Sequence, residues 1–490
     1  MLMTRIRTTL KFFIIWRIIS ICVVQTYYVP DEYWQSLEIA HQMVFGYGYE
    51  TWEWHLKIRS YVYPFLISIT YKLLAILHLD YATLLIYIPR VAQAIVSGYA
   101  DYKFFTWTKS DLAIVFLEFN WFWYYCATRT LTNTLETSLT MIALSIFPWN
   151  DSKYRNSTKF LWIVGFMCII RPTSMIIWIP LCIYHIFITS KNIYKLFKEY
   201  LFISLCTLAY SILIDSYFYG EFTFTPWEFF KVNVLNNIAN HYGTHNLFWY
   251  LTTGLPVVIG LPILYFPIAA LHVIKHCQFL SAQTISLITI TWTLGIYSFL
   301  PHKEFRFIMP LLPLFIFITT SVYSRQKFKF SESIKQILLL LFIISNILIV
   351  FYTGMVHQRG RIDAINMFRK GYVIDNPSEA DVLFLMPCHS TPFYSHLHLN
   401  ISMRFLSCEP NLKNQPNYLD EADHFFNNPT RWIDNNYNNC TLPMILMTYD
   451  NIVPLIETFL KNYQPALVLF NTHFPQSNIG ENVVIYKRKF

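Results

Sequence analysis

The chain has 490 residues, 54% of them hydrophobic and only 13% charged, with a mean hydropathy of +0.36. These proportions exclude an ordinary water-soluble domain and point to repeated crossings of a bilayer. The net charge of +8 is spread over loops and forms no single stripe, which fits basic loops kept on the cytosolic side of a membrane better than a nucleic-acid surface.

At the amino terminus Arg5, Arg7 and Lys11 precede an apolar run to about Val24, and Gln25 to Tyr28 offer no small-residue cleavage site. The pattern is that of an uncleaved signal-anchor with a cytosolic amino terminus. Arg17 lies inside the run, where it either snorkels to an interface or faces the interior of a helix bundle. Beyond it comes VPDEYWQSLEIAHQMVFGYGYETWEW, residues 29–54, whose first acids are the neighbours Asp31 and Glu32. They are either an interfacial acidic collar, with Trp34, Trp52 and Trp54 as belt aromatics, or a general base at a membrane-surface site.

Basic clusters fall at Lys103/Lys109, Lys153/Arg155/Lys159, Lys191/Lys195/Lys198, Lys275 and Arg325/Lys327/Lys329/Lys335. Holding all of them in the cytosol requires about eleven spans, near 10–28, 82–102, 111–127, 130–148, 159–171, 173–190, 199–218, 248–272, 282–300, 306–323 and 337–354. Residues 61–79 are apolar too, but a further crossing there would reverse every later loop, so the segment is expected to be interfacial or re-entrant. This topology collects the polar sequences PDEYWQ (30–35), TRTLTNTLE (128–136), RPTS (171–174), the loop 220–246 and HKEFRF (302–307) on the non-cytosolic face. None of them was needed to set it.

A boundary is expected near Gly354, between a membrane region (1–354, with a loop at 29–81) and a carboxy-terminal domain (355–490). There the apolar runs shorten to strand length at 382–386, 443–447, 466–470 and 483–486, with helical spacing over 451–462, as in a small α/β domain. By parity it shares the side of the polar loops. Cys388, Cys408 and Cys440 fall in it; a Cys388–Cys408 disulfide is possible, although the odd count leaves the pairing open. Asn400 and Asn439 are glycosylation candidates, whereas the sequon at Asn156 falls in a cytosolic loop. No zinc-like, HExxH or P-loop pattern occurs, so neither metal nor nucleotide chemistry has sequence support.

HKEFRF places four ionisable side chains in five residues at a membrane boundary. It reads either as a turn with snorkelling cations, or as an anion site in which Arg306 offers a fork, Lys303 a point charge, His302 a further donor and Glu304 an orienting carboxylate. Arg129 and Arg171 are boundary cations that either snorkel or bind. Asn133 and Glu136, amid threonines, could meet a sugar or merely finish a helix end. His241 and His245 lie in an Asn-rich loop long enough for an acceptor contact.

These residues resemble the dolichol-phosphate-mannose-dependent mannosyltransferases of glycosyltransferase family 22, in the GT-C superfamily. HKEFRF carries the family mark. VPDEYWQSLEIAHQMVFGYGYETWEW, TRTLTNTLET, RPT, MPCHSTPFYSH, MRFLSCEP and YLDEAD extend the resemblance over essentially the whole chain, toward members that build the glycosylphosphatidylinositol (GPI) precursor. The resemblance implies an endoplasmic-reticulum, multi-pass membrane protein of GT-C type with a lumenal active site and a small lumenal α/β domain. It further implies transfer of mannose from dolichyl phosphate mannose to the second mannose of the GPI precursor, in an α1,2 bond formed with inversion. Asp31 would then be the base, with Glu32 as alternative or sugar contact, and His302, Lys303 and Arg306 would hold the donor phosphate without a cofactor or metal. Two alternatives stay open: a relative that mannosylates the lipid-linked N-glycan precursor, and a non-catalytic lipid or anion transporter.

Overall fold

The computed structural model describes residues 9–150, 155–236, 238, 243–325, 331–412, 415–437 and 441–489. They form two compact units that do not follow a single cut in the chain. One holds residues 1–22, 57–63 and 90–350, the other residues 23–56, 64–89 and 351–490. The segment bearing Asp31 and Glu32 therefore belongs with the carboxy-terminal part, although a boundary at 354 would assign it to the membrane region. Apolar periodicity reports where a span ends but not which distant segment covers it.

The first unit is helical. Leu10–Val23 packs on Ala82–Thr108 where Gly98 meets the backbone of Ile14, so closely that a Cβ at Gly98 would lie 2.8 Å from the Ile14 Cα. Arg17 does not snorkel: it is fully buried, with Nε 2.6 Å from Asp101 and Nη2 2.7 Å from Glu118. Three segments that are apolar singly are thus joined by a buried charge cluster, which holds only because each charge has a partner.

Two expected spans are interrupted. Residues 111–127 form Asp111–Glu118 and Trp121–Cys126, divided at Asn120. Residues 248–272 form a π-helical turn at Tyr250–Gly254, a short helix at Leu255–Ile259, a 3₁₀ turn at Leu261–Leu264 and the helix Phe266–His276. Pro256, Pro262 and the positive φ of Gly260 break the second. Asn120 serves both interruptions. Its Oδ1 accepts from Trp123 N at 2.8 Å, while its Nδ2 donates to Val258 O at 2.9 Å and Ile259 O at 3.3 Å. Broken backbone is tolerated in an apolar surround when its polar groups find such partners. By length and composition, three helical segments among the described residues could cross a membrane: Ile193–Tyr219, Phe305–Ser324 and Glu332–Arg369. Apolar side chains such as Phe187, Leu213, Leu264 and Leu348 lie exposed on helices, as lipid-facing surfaces require.

The second unit carries a mixed sheet of five strands: β1 (Val382–Leu385), β2 (Met403–Phe405), β3 (Ile445–Tyr449), β4 (Tyr463–Phe470) and β5 (Asn482–Arg488). Their order is β2-β1-β3-β5-β4. Strand β1 is parallel to β2 and β3, with Val382 opposite Met403 and Ile445, while β5 is antiparallel to β3 and β4. Sequence periodicity misses β2, a three-residue edge strand too short for alternation to show. It also overstates the helix at 451–462, which is a 3₁₀ turn at Val453–Ile456 followed by one turn at Glu457–Leu460. The helix Val62–Ile76 belongs partly to this unit and has 15 residues. At ~1.5 Å per residue it falls short of a ~30 Å hydrocarbon core.

Candidate functional site

In the first unit one connected network joins most of the residues singled out above. HKEFRF follows the helix Ala282–Phe299 as extended backbone and enters a 3₁₀ turn, Phe305–Leu311, before the next helix. That change of backbone gathers its charges. Glu304 grips Arg306 through two contacts, Nε–Oε2 and Nη2–Oε1, each 2.7 Å, and His302 Nε2 lies 3.2 Å from Oε1. Burial pushes the Glu304 carboxyl up, but the Arg306 guanidinium and the His302 ring more than offset it, and it is held well below the usual carboxylate range. Burial lowers His302; the Glu304 carboxylate outweighs this and leaves the imidazole easier to protonate. Lys303 is buried, its ammonium donates to the carbonyls of His245 (3.2 Å) and Leu300, and burial lowers its pKa.

The network extends into neighbouring helices. Asn133, in Thr132–Ile146, donates to the Arg306 carbonyl at 3.2 Å. Phe307 lies under two guanidinium groups, Arg171 at 5.4 Å and Arg306 at 5.7 Å. Arg171 in turn sits 3.4 Å from Glu136, whose other oxygen accepts from Ser174 Oγ at 2.6 Å. His302, Lys303, Arg306, Asn133, Glu136, Arg171 and His245 are thereby linked through side chains and backbone. Arg129 is buried too; its Nε donates to Tyr125 O at 3.1 Å and its guanidinium stacks on the Tyr125 ring at 4.1 Å. His241 and Asn439 lie outside the described residues.

In the second unit Asp31 and Glu32 open a helical segment, followed at once by a π-helical turn, Tyr33–Leu37, and the α-helix Glu38–Phe45. Such turns place an extra residue in one helical turn and recur at functional sites. Asp31 is half-buried and Glu32 is buried. The Tyr27 hydroxyl donates to His389 O, and Trp34 packs edge-on against the His389 ring, 4.5 Å between centroids. Burial lowers His389 to about 4, with the Asp31 carboxylate opposing the shift. Cys388 and Cys408 are joined in a disulfide beside that ring. Both sulfurs being bonded, this cluster with His389 offers no thiolate to a metal. Asn400 is exposed in a segment without regular structure.

Sequence reading passes over Arg361. It lies in the first turn of Gly360–Arg369 and is buried, stacked over Tyr27 at 5.0 Å and Tyr449 at 5.9 Å. Its Nε and Nη2 have no hydrogen-bond partner among the described residues. In sequence it is one of several charges in HQRGRID, and nothing there separates it from a solvated boundary residue.

The sequence profile of the Alg9-like mannosyltransferase family matches residues 8–398. The chain is 45% identical over 456 residues to GPI mannosyltransferase 3 of Drosophila melanogaster, covering 91% of this chain and 81% of that protein. It is 43% identical to GPI alpha-1,2-mannosyltransferase 3 of Danio rerio (98% and 89% covered) and 42% identical to that of Homo sapiens (98% and 87%). Among solved structures, ArnT from Cupriavidus metallidurans bound to undecaprenyl phosphate superposes with a TM-score of 0.55 at 10% identity, over 97% of this chain and 96% of that one. That likeness speaks for a shared fold, the polytopic helical membrane architecture of GT-C type, and for nothing finer. With the family profile matched over most of its length and relatives above 40% identity along nearly all of it, this chain belongs to the Alg9-like mannosyltransferase family.

Proposed function

We propose that this chain is an inverting α-1,2-mannosyltransferase of GPI-anchor biosynthesis. It moves mannose from dolichyl phosphate mannose to the second mannose of the GPI precursor, in the endoplasmic-reticulum membrane. The reading is carried by the near full-length likeness to GPI alpha-1,2-mannosyltransferase 3 of several animals, which includes the carboxy-terminal part as well as the helical region. The lipid-phosphate ligand of ArnT supports a lipid-linked substrate. About eleven spans and a lumenal sheet-bearing unit are part of the proposal.

The chemistry asked for is displacement at the anomeric carbon. The acceptor hydroxyl oxygen forms the new bond to carbon 1, its proton passes to the Asp31 carboxylate, and the bond from carbon 1 to the phosphate oxygen breaks with its electron pair on dolichyl phosphate. A β-linked donor then yields an α product. Asp31 stands half-buried at the head of its helix, where a substrate hydroxyl can meet it, whereas Glu32 is buried and suits a supporting role. In the leaving-group role Arg306 is shared. Glu304 already grips its fork, so a donor phosphate reaches the guanidinium in competition with that carboxylate. A phosphate that gains charge as it leaves competes better than the ground-state diester. Arg306 is therefore drawn to the transition state more than to the substrate, which is the differential binding catalysis needs. His302, Lys303 and Arg306 make the donor site cationic, and we propose that it works without a metal. Arg129, Asn133, Glu136, Arg171, His241 and His245 are proposed sugar and acceptor contacts.

The test is incubation of purified protein with dolichyl phosphate mannose and a defined di-mannosyl GPI acceptor, with the product's linkage analysed. A tri-mannosyl product with a terminal α1,2 bond is expected. Transfer only to N-glycan precursors, or none to either acceptor, would overturn the assignment.

A further inference from the structure

The segment from Cys388 to Cys408 is closed twice over. The disulfide joins its ends, and β1, just ahead of it, runs side by side and parallel with β2 within it, so the chain between them must cross from the end of one to the start of the other. This loop does not pack only against its own sheet. It receives one face of the helix that begins at Asp31, through residues spaced four and three apart: Trp34, Glu38 and His41.

Each makes a directional contact inside the loop. Trp34 Nε1 donates to Thr391 O at 3.1 Å, and its ring packs among His389, Phe393 and Phe405 at 4.5, 5.0 and 5.1 Å. Glu38, 1% exposed, accepts two backbone N–H groups, Tyr394 N at 3.2 Å and Ser395 N at 2.9 Å. His41 Nε2 meets His398 Nδ1 at 2.9 Å. Ahead of Trp34, the Tyr27 hydroxyl donates to the His389 carbonyl, and the Asp31 carboxylate acts electrostatically on the His389 ring. A buried carboxyl spanning two backbone N–H groups of the loop loses part of the compensation for its burial when either moves away. That makes the contact a register mark and not general adhesion.

We propose that the disulfide-closed loop Cys388–Cys408 is the positioning cradle of the acid-bearing helix, with Glu38 as the residue that sets its register and hence where Asp31 stands. Glu38 touches no reacting atom; it acts through the helix. The inference rests on reading Asp31 as the base. It gives the carboxy-terminal unit a part in the chemistry, and it explains why MPCHSTPFYSH and MRFLSCEP frame the loop.

The test uses the full-length enzyme with dolichyl phosphate mannose and the di-mannosyl acceptor, rates being normalised to folded protein. Glu38→Ala and the double variant Cys388→Ala/Cys408→Ala should each lower kcat by about 10- to 100-fold, the scale of a reacting group displaced by an ångström. KM for either substrate should stay within about threefold. Glu38→Gln, whose amide oxygen still accepts an N–H, should recover part of kcat. Combining Glu38→Ala with the cysteine changes should cost little beyond the larger single effect, since both act through one cradle. Should Glu38→Ala not fold, Trp34→Phe, which removes the bond to Thr391 while keeping an aromatic ring, replaces it. Unchanged kcat per folded molecule in these variants, or strictly multiplying losses in the combination, would overturn the cradle. Asp31→Asn in the same assay separates the two ideas: if it stays active while the cradle variants lose kcat, the base assignment has failed and the loop positions some other group.

Discussion

The adjacent acids Asp31 and Glu32 differ in environment, and the roles proposed for them follow that difference. Asp31 is half-buried where Glu32 is closed off, so Asp31→Asn, which keeps shape and removes the base, should lower kcat by ~10²–10⁴-fold. Glu32→Gln should cost less. Initial rates on folded, membrane-inserted protein check both, and near-normal turnover in Asp31→Asn would move the base elsewhere. At Arg306 the two 2.7 Å contacts to Glu304 sharpen the expectation. Arg306→Ala should raise KM for the donor and lower kcat, while KM for the acceptor changes little. Arg306→Lys keeps the charge but not the planar fork and should recover only part. Rates measured across donor concentration at saturating acceptor distinguish this from a boundary turn, for which activity per folded molecule would not change.

Among the elements, the helix Glu38–Phe45 carries a pH signature. Burial raises the Glu38 carboxyl from 4.5 to about 7, against backbone and side-chain hydrogen bonds from Ser395 and a backbone bond from Tyr394. A carboxyl raised in the folded state contributes stability that is fully present below its unfolded value and is lost as pH rises through the folded one. His41 carries the opposite sign: burial lowers it to about 4, so its contribution is lost as pH falls from ~6.5 toward 4. The two partly cancel in the wild type. Glu38→Gln removes one of them, so the difference in melting temperature between variant and wild type should shift in the variant's favour from pH 4.5 to 7.5. Melting followed by intrinsic fluorescence at several pH values checks it; a difference that stays constant would show that Glu38 does not titrate in this window.

On the scale of the whole molecule, the prediction concerns sides of the membrane. The proposed topology, set by loop charge, puts the polar sequences and the carboxy-terminal unit on the lumenal side. A glycosylation reporter attached after Phe490 should be modified, whereas one inserted between Lys153 and Lys159 should not. The reverse pattern would place the acids and HKEFRF on the cytosolic side and remove the topology on which the site was assembled.

Most of the helices were legible because a bilayer leaves few ways to bury apolar side chains: the runs that became Leu10–Val23, Ile193–Tyr219 and Glu332–Met355 had no other fate. HKEFRF and the Asp31–Glu32 pair stood out for the matching reason, since charge at an apolar boundary is costly and therefore informative. What the chain alone left open were matters of partnership. Arg17 could snorkel or pair until Asp101 and Glu118, some 80 to 100 residues away, met it in the fold. Asn120 sits unremarked inside an apolar run, yet it mends two broken helices at once. Arg361 carried no mark at all, and Glu38 gave no hint that its partners lie 356 and 357 residues further on. Composition and periodicity report how a segment meets solvent or lipid, a property local to it. Which distant carbonyl, amide or carboxylate completes a buried polar group depends on the approach of separate segments, and that only the tertiary structure decides.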